Sequence, residues 1–62
     1  MNKLKKLRTE GKYRQVDLAK KIGVTRQAFS GYELGTAKPS LDKAKKLADI
    51  LGCSIEEIFF DS

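Results

Sequence analysis

Apolar residues recur at three- and four-residue spacing along almost the whole chain, and glycines break the pattern at intervals. That period is the signature of amphipathic helices with one face turned inward. Leu4 and Leu7 open it and predict a first helix over Asn2–Glu10, stopped by Gly11. Leu18, Ala19 and Ile22 form the face of a second helix over Gln15–Ile22, with Tyr13 packing ahead of it and Gly23 ending it. Thr25 is a good N-cap for a third helix. Val24 before that cap and Phe29 four residues into the helix suit a hydrophobic staple. Phe29 and Tyr32 point to the core, and Gly35 closes the segment.

The loop from Leu34 to Pro39 is followed by Ser40, which caps a fourth helix. Its inward stripe reads Leu41, Ala44, Leu47, Ala48 and Leu51, up to a stop at Gly52. Ser54 and Glu57 form a capping box for a fifth helix that runs through Phe59 and Phe60, with Cys53 and Ile58 as its staple. No strand pattern competes. The predicted fold class is all-α: a compact five-helix bundle with a helix-turn-helix at its centre, filling one domain over residues 1–62.

Composition narrows the chemistry. A chain of 62 residues buries a small core. It has one cysteine, Cys53, and no histidine, which removes an internal disulfide, a His/Cys zinc site and a histidine-based triad. The reading is therefore a non-enzyme with no metal and no cofactor. No apolar run approaches the ~18 residues of a membrane span, and the basic N-terminus lacks the apolar stretch of a signal peptide. A reducing, cytoplasmic setting is expected, with no membrane partner. Met1 and an ending just after the fifth helix suit a complete small protein.

Charge adds direction. Lys and Arg number 13 against 8 Asp and Glu, for a net charge of +5. The bases crowd the first fourteen residues, whereas the last ten hold acids alone. A basic body with an acidic end suits a polyanion partner, and ordinary solubilising lysine explains it equally well.

Residues 15–33 carry the function. They read as a helix, a tight glycine turn and a second helix, which must cross steeply at ~90–120°. Ala19 is the small residue at the crossing. Arg26, Gln27, Ser30 and Gly31 stay outward on the third helix, and Arg and Gln are side chains that make two hydrogen bonds to a base edge.

At this point the chain resembles the Xre/Cro-type helix-turn-helix domains of phage repressors and bacterial regulators. Arg8, Gln15-x-x-Leu18-Ala19, Gly23-Val24, Glu33-x-Gly35, Lys38-Pro39-Ser40, Leu47-Ala48, Leu51-Gly52 and Ile58-Phe59 fall in register with that family, so the likeness covers nearly the whole chain. It implies a double-stranded DNA partner and a third helix that enters the major groove. Arg26, Gln27 and Ser30 would then read bases. Gln15 would clamp a phosphate or brace a base-reading side chain, and Thr25 would cap the third helix near the DNA backbone. Thr36 and Lys38 would contact phosphates from their loop. Arg8 and Glu33 would form an ion pair joining the first helix to the third.

Two positions depart from the pattern. Gly31 stands where a base-reading side chain is usual. Arg14 stands where a Ser or Thr cap is usual, and its charge could reach a phosphate at the start of the second helix. Phe59 and Phe60 are adjacent, so one helix face cannot bury both, and with Ile55 they suggest a homodimer seam. The expected function is a transcriptional regulator, a repressor binding a palindromic operator as a homodimer, bacterial or phage-encoded. The alternatives are an antitoxin or adaptor of the same fold whose main partner is a protein, and a cationic membrane-active peptide, which the repeated caps and stops disfavour.

Overall fold

The first helix is anchored by groups that a hydrophobic pattern does not reveal. In the computed structural model, which describes residues 2–60, helix α1 spans Leu4–Glu10. Met1, and with it part of the expectation of a complete protein, lies outside the described residues, as do Asp61 and Ser62. The helix does not begin at Asn2 as expected. The Asn2 side-chain Oδ1 accepts from the Leu4 backbone N–H at 3.0 Å, so Asn2 serves the helix start from outside it. Its amide donates to the Tyr32 carbonyl at 2.8 Å, and the Lys3 N–H donates to the Ile58 carbonyl at 3.0 Å. The chain start is thus tied to the third and fifth helices.

Helices α2 (Gln15–Ile22), α3 (Arg26–Leu34), α4 (Leu41–Leu51) and α5 (Ile55–Phe59) follow. Three of them start on a hydroxyl cap: Thr25, Ser40 and Ser54 each accept from a backbone N–H three residues on. Helix α5 stops one residue before the expected Phe60, which serves as its C-cap.

The core gathers Leu4, Leu18, Ala19, Ile22, Phe29, Tyr32, Leu47, Ala48 and Ile58 from all five helices. Phe29 and Tyr32 meet edge to face, with ring centroids 6.3 Å apart. Six large side chains are fully buried, and each contributes about 1.5–3 kcal/mol. That packing decides the fold, because helices this short are marginal alone. Leu41 corrects the expected inward stripe of α4: it is 77% exposed. As the first residue of the helix it precedes the point where α4 meets the body, and burial begins at Ala44. Cys53 is half-buried, and burial, with Glu57 nearby, pushes its thiol above the ordinary value.

Between α2 and α3 the chain turns through Gly23 at φ 78°. A left-handed residue lets the Val24 N–H reach back to the Ala19 carbonyl at 2.9 Å, which closes α2 and aims α3 across it. The turn after α1 works differently. Gly11 is right-handed, and Lys12 takes the positive φ of 62°. Gly11 is small for another reason, since a Cβ there would stand 3.0 Å from the Tyr13 ring.

Candidate nucleic-acid interface

Helix α3 presents Arg26 and Gln27 in its first turn, both exposed. Thr25 holds that turn by accepting from the Ala28 N–H at 3.1 Å. Ser30, one turn on, is half-buried. The opposite side of α3 carries Phe29, Tyr32 and Glu33 into the interior. A helix with one face locked in the core offers its other face as a rigid surface.

Glu33 is the sole buried charged residue among the described ones, with a side chain 5% exposed. A lone carboxylate at that depth would be costly. Here it is fully engaged. Arg8 Nε donates to its Oε2 at 2.5 Å, and Arg8 Nη2 reaches Oε1 at 3.5 Å. Arg8 Nη1 also donates to the Tyr13 carbonyl at 3.0 Å, which fastens the α1–α2 turn to the same point. Gln15 Nε2 donates to Glu33 Oε1 at 2.8 Å. Gln15 in turn accepts from Arg26 Nη1 through its Oε1 at 3.3 Å. Four side chains from α1, α2 and α3 therefore form one line, running from the interior to the exposed first turn of α3.

Arg14 lies at the start of α2 but is engaged. Its Nε and Nη2 donate to the two oxygens of Asp17 at 3.0 and 3.1 Å. Asp17 Oδ2 also accepts from the Arg14 backbone N–H at 3.2 Å. A guanidinium has no acceptor and cannot cap a helix, so Asp17 supplies the capping contact from within α2. The Arg14 guanidinium, and then its backbone N–H, hold the Asp17 carboxyl below the usual carboxylate range. Asp17 carries no motif signal, and only its spacing of three from Arg14 could have marked it.

Thr36 and Lys38 are exposed on the loop after α3. That loop folds back on Gly31. The Gly31 carbonyl accepts from the backbone N–H groups of Thr36 at 3.0 Å and Ala37 at 3.2 Å, and from the Thr36 hydroxyl at 3.4 Å. A Cβ at Gly31 would lie 3.1 Å from the Ala37 Cβ. Gly31 therefore gives the loop room to dock against α3, a role that position on a helix face does not disclose.

Ile55 and Phe59 are half-buried, and Phe60 is 72% exposed. With Pro39 and Leu41 they line an open groove of about 610 Å³. Lys38 lines the same groove, so its wall is the loop that docks on α3. Leu41 lines this groove although its spacing matches the core stripe of α4.

Comparison with known proteins now decides the family. Residues 4–58 match the helix-turn-helix family. The chain belongs to the helix-turn-helix family. Among its relatives, a prophage-derived HTH-type transcriptional regulator of Bacillus subtilis is 44% identical over 54 residues, covering 87% of this chain and 50% of the relative. An HTH-type transcriptional regulator of Methanocaldococcus jannaschii is 48% identical over 58 residues, covering 94% and 88%. The cryptic phage CTXphi transcriptional repressor RstR of Vibrio cholerae is 38% identical over 61 residues, covering 98% and 55%. This helix-turn-helix chain thus spans about half the length of two of these relatives and most of the third. In the helix-turn-helix motif the second helix is the recognition helix, and α3 holds that position in this chain. Among the described residues, no helix is long and apolar enough to cross a membrane.

Proposed function

We propose that this helix-turn-helix chain is a sequence-specific regulator of transcription that binds double-stranded DNA in the cytoplasm. It acts as a repressor, binding a palindromic operator as a homodimer with α3 in the major groove. The observation that carries the reading is the pair Arg26 and Gln27, exposed together in the first turn of α3. Arg binds the O6 and N7 edge of guanine with two hydrogen bonds, and Gln binds the N6 and N7 edge of adenine. Ser30 adds a shorter contact one turn on. Thr25, Thr36 and Lys38 position the domain on the phosphates, Gln15 braces Arg26, and the net charge of +5 supplies salt-dependent, sequence-blind affinity. The repressor assignment draws on the name of the Vibrio relative. The exposed Phe60 beside Ile55 and Phe59 supports the homodimer, because two-fold dimers read half-sites about one turn apart.

The test is selection of sites from a random duplex library at fixed moderate salt, repeated with Arg26→Ala. The expected result is an inverted repeat with half-sites about one helical turn apart. The variant should then lose preference at one base pair per half-site. A single enriched half-site would remove the dimer and keep the reader. No enrichment, with general salt-sensitive binding alone, would overturn the reading in favour of an antitoxin or adaptor that forms a stable complex with another protein.

A further inference from the structure

We infer that Glu33, which is buried and remote from any base edge, is a positioning residue for base reading. It acts by fixing which way the Gln15 amide faces and, through it, where Arg26 is held. The inference rests on the proposed base-reading role of α3.

The argument is one of hydrogen-bond polarity. An ionised carboxylate only accepts, and a guanidinium only donates. Gln15 lies between one of each. Its Nε2 must face the Glu33 Oε1, 2.8 Å away, which leaves its Oε1 facing outward. Arg26 Nη1 meets that oxygen at 3.3 Å. Arg8, donating to Glu33 at 2.5 Å, fixes the carboxylate in place. The line has a single direction: donor Arg8, acceptor Glu33, amide Gln15 with oxygen outward, donor Arg26. It uses one of the five guanidinium N–H groups of Arg26 and leaves the others for the guanine edge. An arginine held before contact has already lost rotamer freedom that a free side chain would lose on binding.

Replacing the carboxylate by an amide reverses this. In Glu33→Gln the new Oε1 stays with Arg8, so the new NH2 faces Gln15. Two donors cannot pair, so the Gln15 amide turns over and presents its own NH2 to Arg26. A side chain of nearly unchanged shape, two contacts away from DNA, then releases the reading arginine.

The experiment uses the operator obtained from library selection and the same duplex with the Arg26-dependent base pair replaced. The ratio of the two affinities is the readout, with thermal melting to confirm folding. Glu33→Gln is expected to lower the ratio about tenfold, the order of one base contact, with the salt slope unchanged. Gln15→Met, at a half-buried position that leaves the Arg8–Glu33 pair intact, is expected to do the same. The double variant is expected to fall no further than either single one. The relay is overturned by a Gln15→Met protein with the ratio intact, or by a folded Glu33→Gln protein with the ratio intact. It is equally overturned if Gln15→Met weakens all duplexes alike with the ratio unchanged, the mark of a phosphate clamp, or if the two losses multiply. Should Glu33→Gln fail to fold, Gln15→Met decides. If Arg26→Ala itself leaves discrimination unchanged, base reading fails and the relay fails with it. If Arg26→Ala relaxes the ratio and the other two do not, the relay alone fails.

Discussion

Arg14 and Asp17 form a closed pair on the surface at the start of α2, with two guanidinium bonds and one backbone bond on a single carboxylate. The pair has opposite effects on folding and on DNA. Asp17 satisfies one backbone donor at the start of α2, the Arg14 N–H, but also neutralises the arginine nearest that helix terminus. Its pKa is lowered by Arg14. The stability it adds is therefore complete above the unfolded carboxylate value and is lost as pH falls through the lower folded value. Asp17→Asn is expected to abolish that acid-side loss, seen as a flatter melting temperature against pH below ~4. It should also free Arg14, strengthening binding to all duplexes and steepening the salt slope by ~1. A salt slope equal to the parent's would show that Arg14 makes no phosphate contact. Arg26 and Gln27 were legible as exposed first-turn residues of α3, because helix position suffices to mark them. The Arg8–Glu33 pair followed from the family pattern, but the contacts of Gln15 with Glu33 and of Asp17 with Arg14 were not legible, because they depend on which atoms donate and which accept.

Helix limits were largely legible, since caps and glycine stops act locally. Thr25, Ser40 and Ser54 start helices where their hydroxyls predict it. The exceptions share a cause: a contact from elsewhere in the fold. Asn2 is held outside α1 by its bonds to Leu4 and Tyr32, and Gly11 is shaped by the Tyr13 ring. That leaves Lys12, a residue with a Cβ, at φ 62°. The left-handed region costs such a residue ~1–2 kcal/mol. Lys12→Gly is expected to stabilise by roughly 0.5–1 kcal/mol after the extra chain entropy of glycine is counted, raising the melting temperature by a few degrees. A lower melting temperature would mean that the turn is not strained. Gly31 makes the contrasting case. Alanine would improve the helix by ~1 kcal/mol, but its Cβ would press on Ala37 at 3.1 Å. The loop must then shift, carrying Thr36 and Lys38 with it. Gly31→Ala should hold or raise the melting temperature while weakening binding to all duplexes alike. A base-selective loss would instead return Gly31 to the reading face.

At the scale of the whole molecule, the exposed face of α3 and the apolar groove flank one element, the loop from Gly35 to Pro39. One side of that loop hangs on the Gly31 carbonyl, and the other lines the groove with Leu41 and Phe60. A second copy seated on the groove would fix the separation of two α3 helices, and operator spacing would follow from it. Phe60 is the residue to probe, because it is 72% exposed and its loss should leave the core intact. Phe60→Glu adds a charge to an apolar seam and should not lower the melting temperature of the dilute protein. It is expected to leave binding to one half-site unchanged. Binding to two half-sites should fall on the order of 100-fold, the gain in effective concentration that linked readers enjoy. The gap between one-site and two-site affinity isolates the seam from the reader. If Phe60→Glu keeps that gap, the two copies meet elsewhere, and the groove belongs to some other occupant.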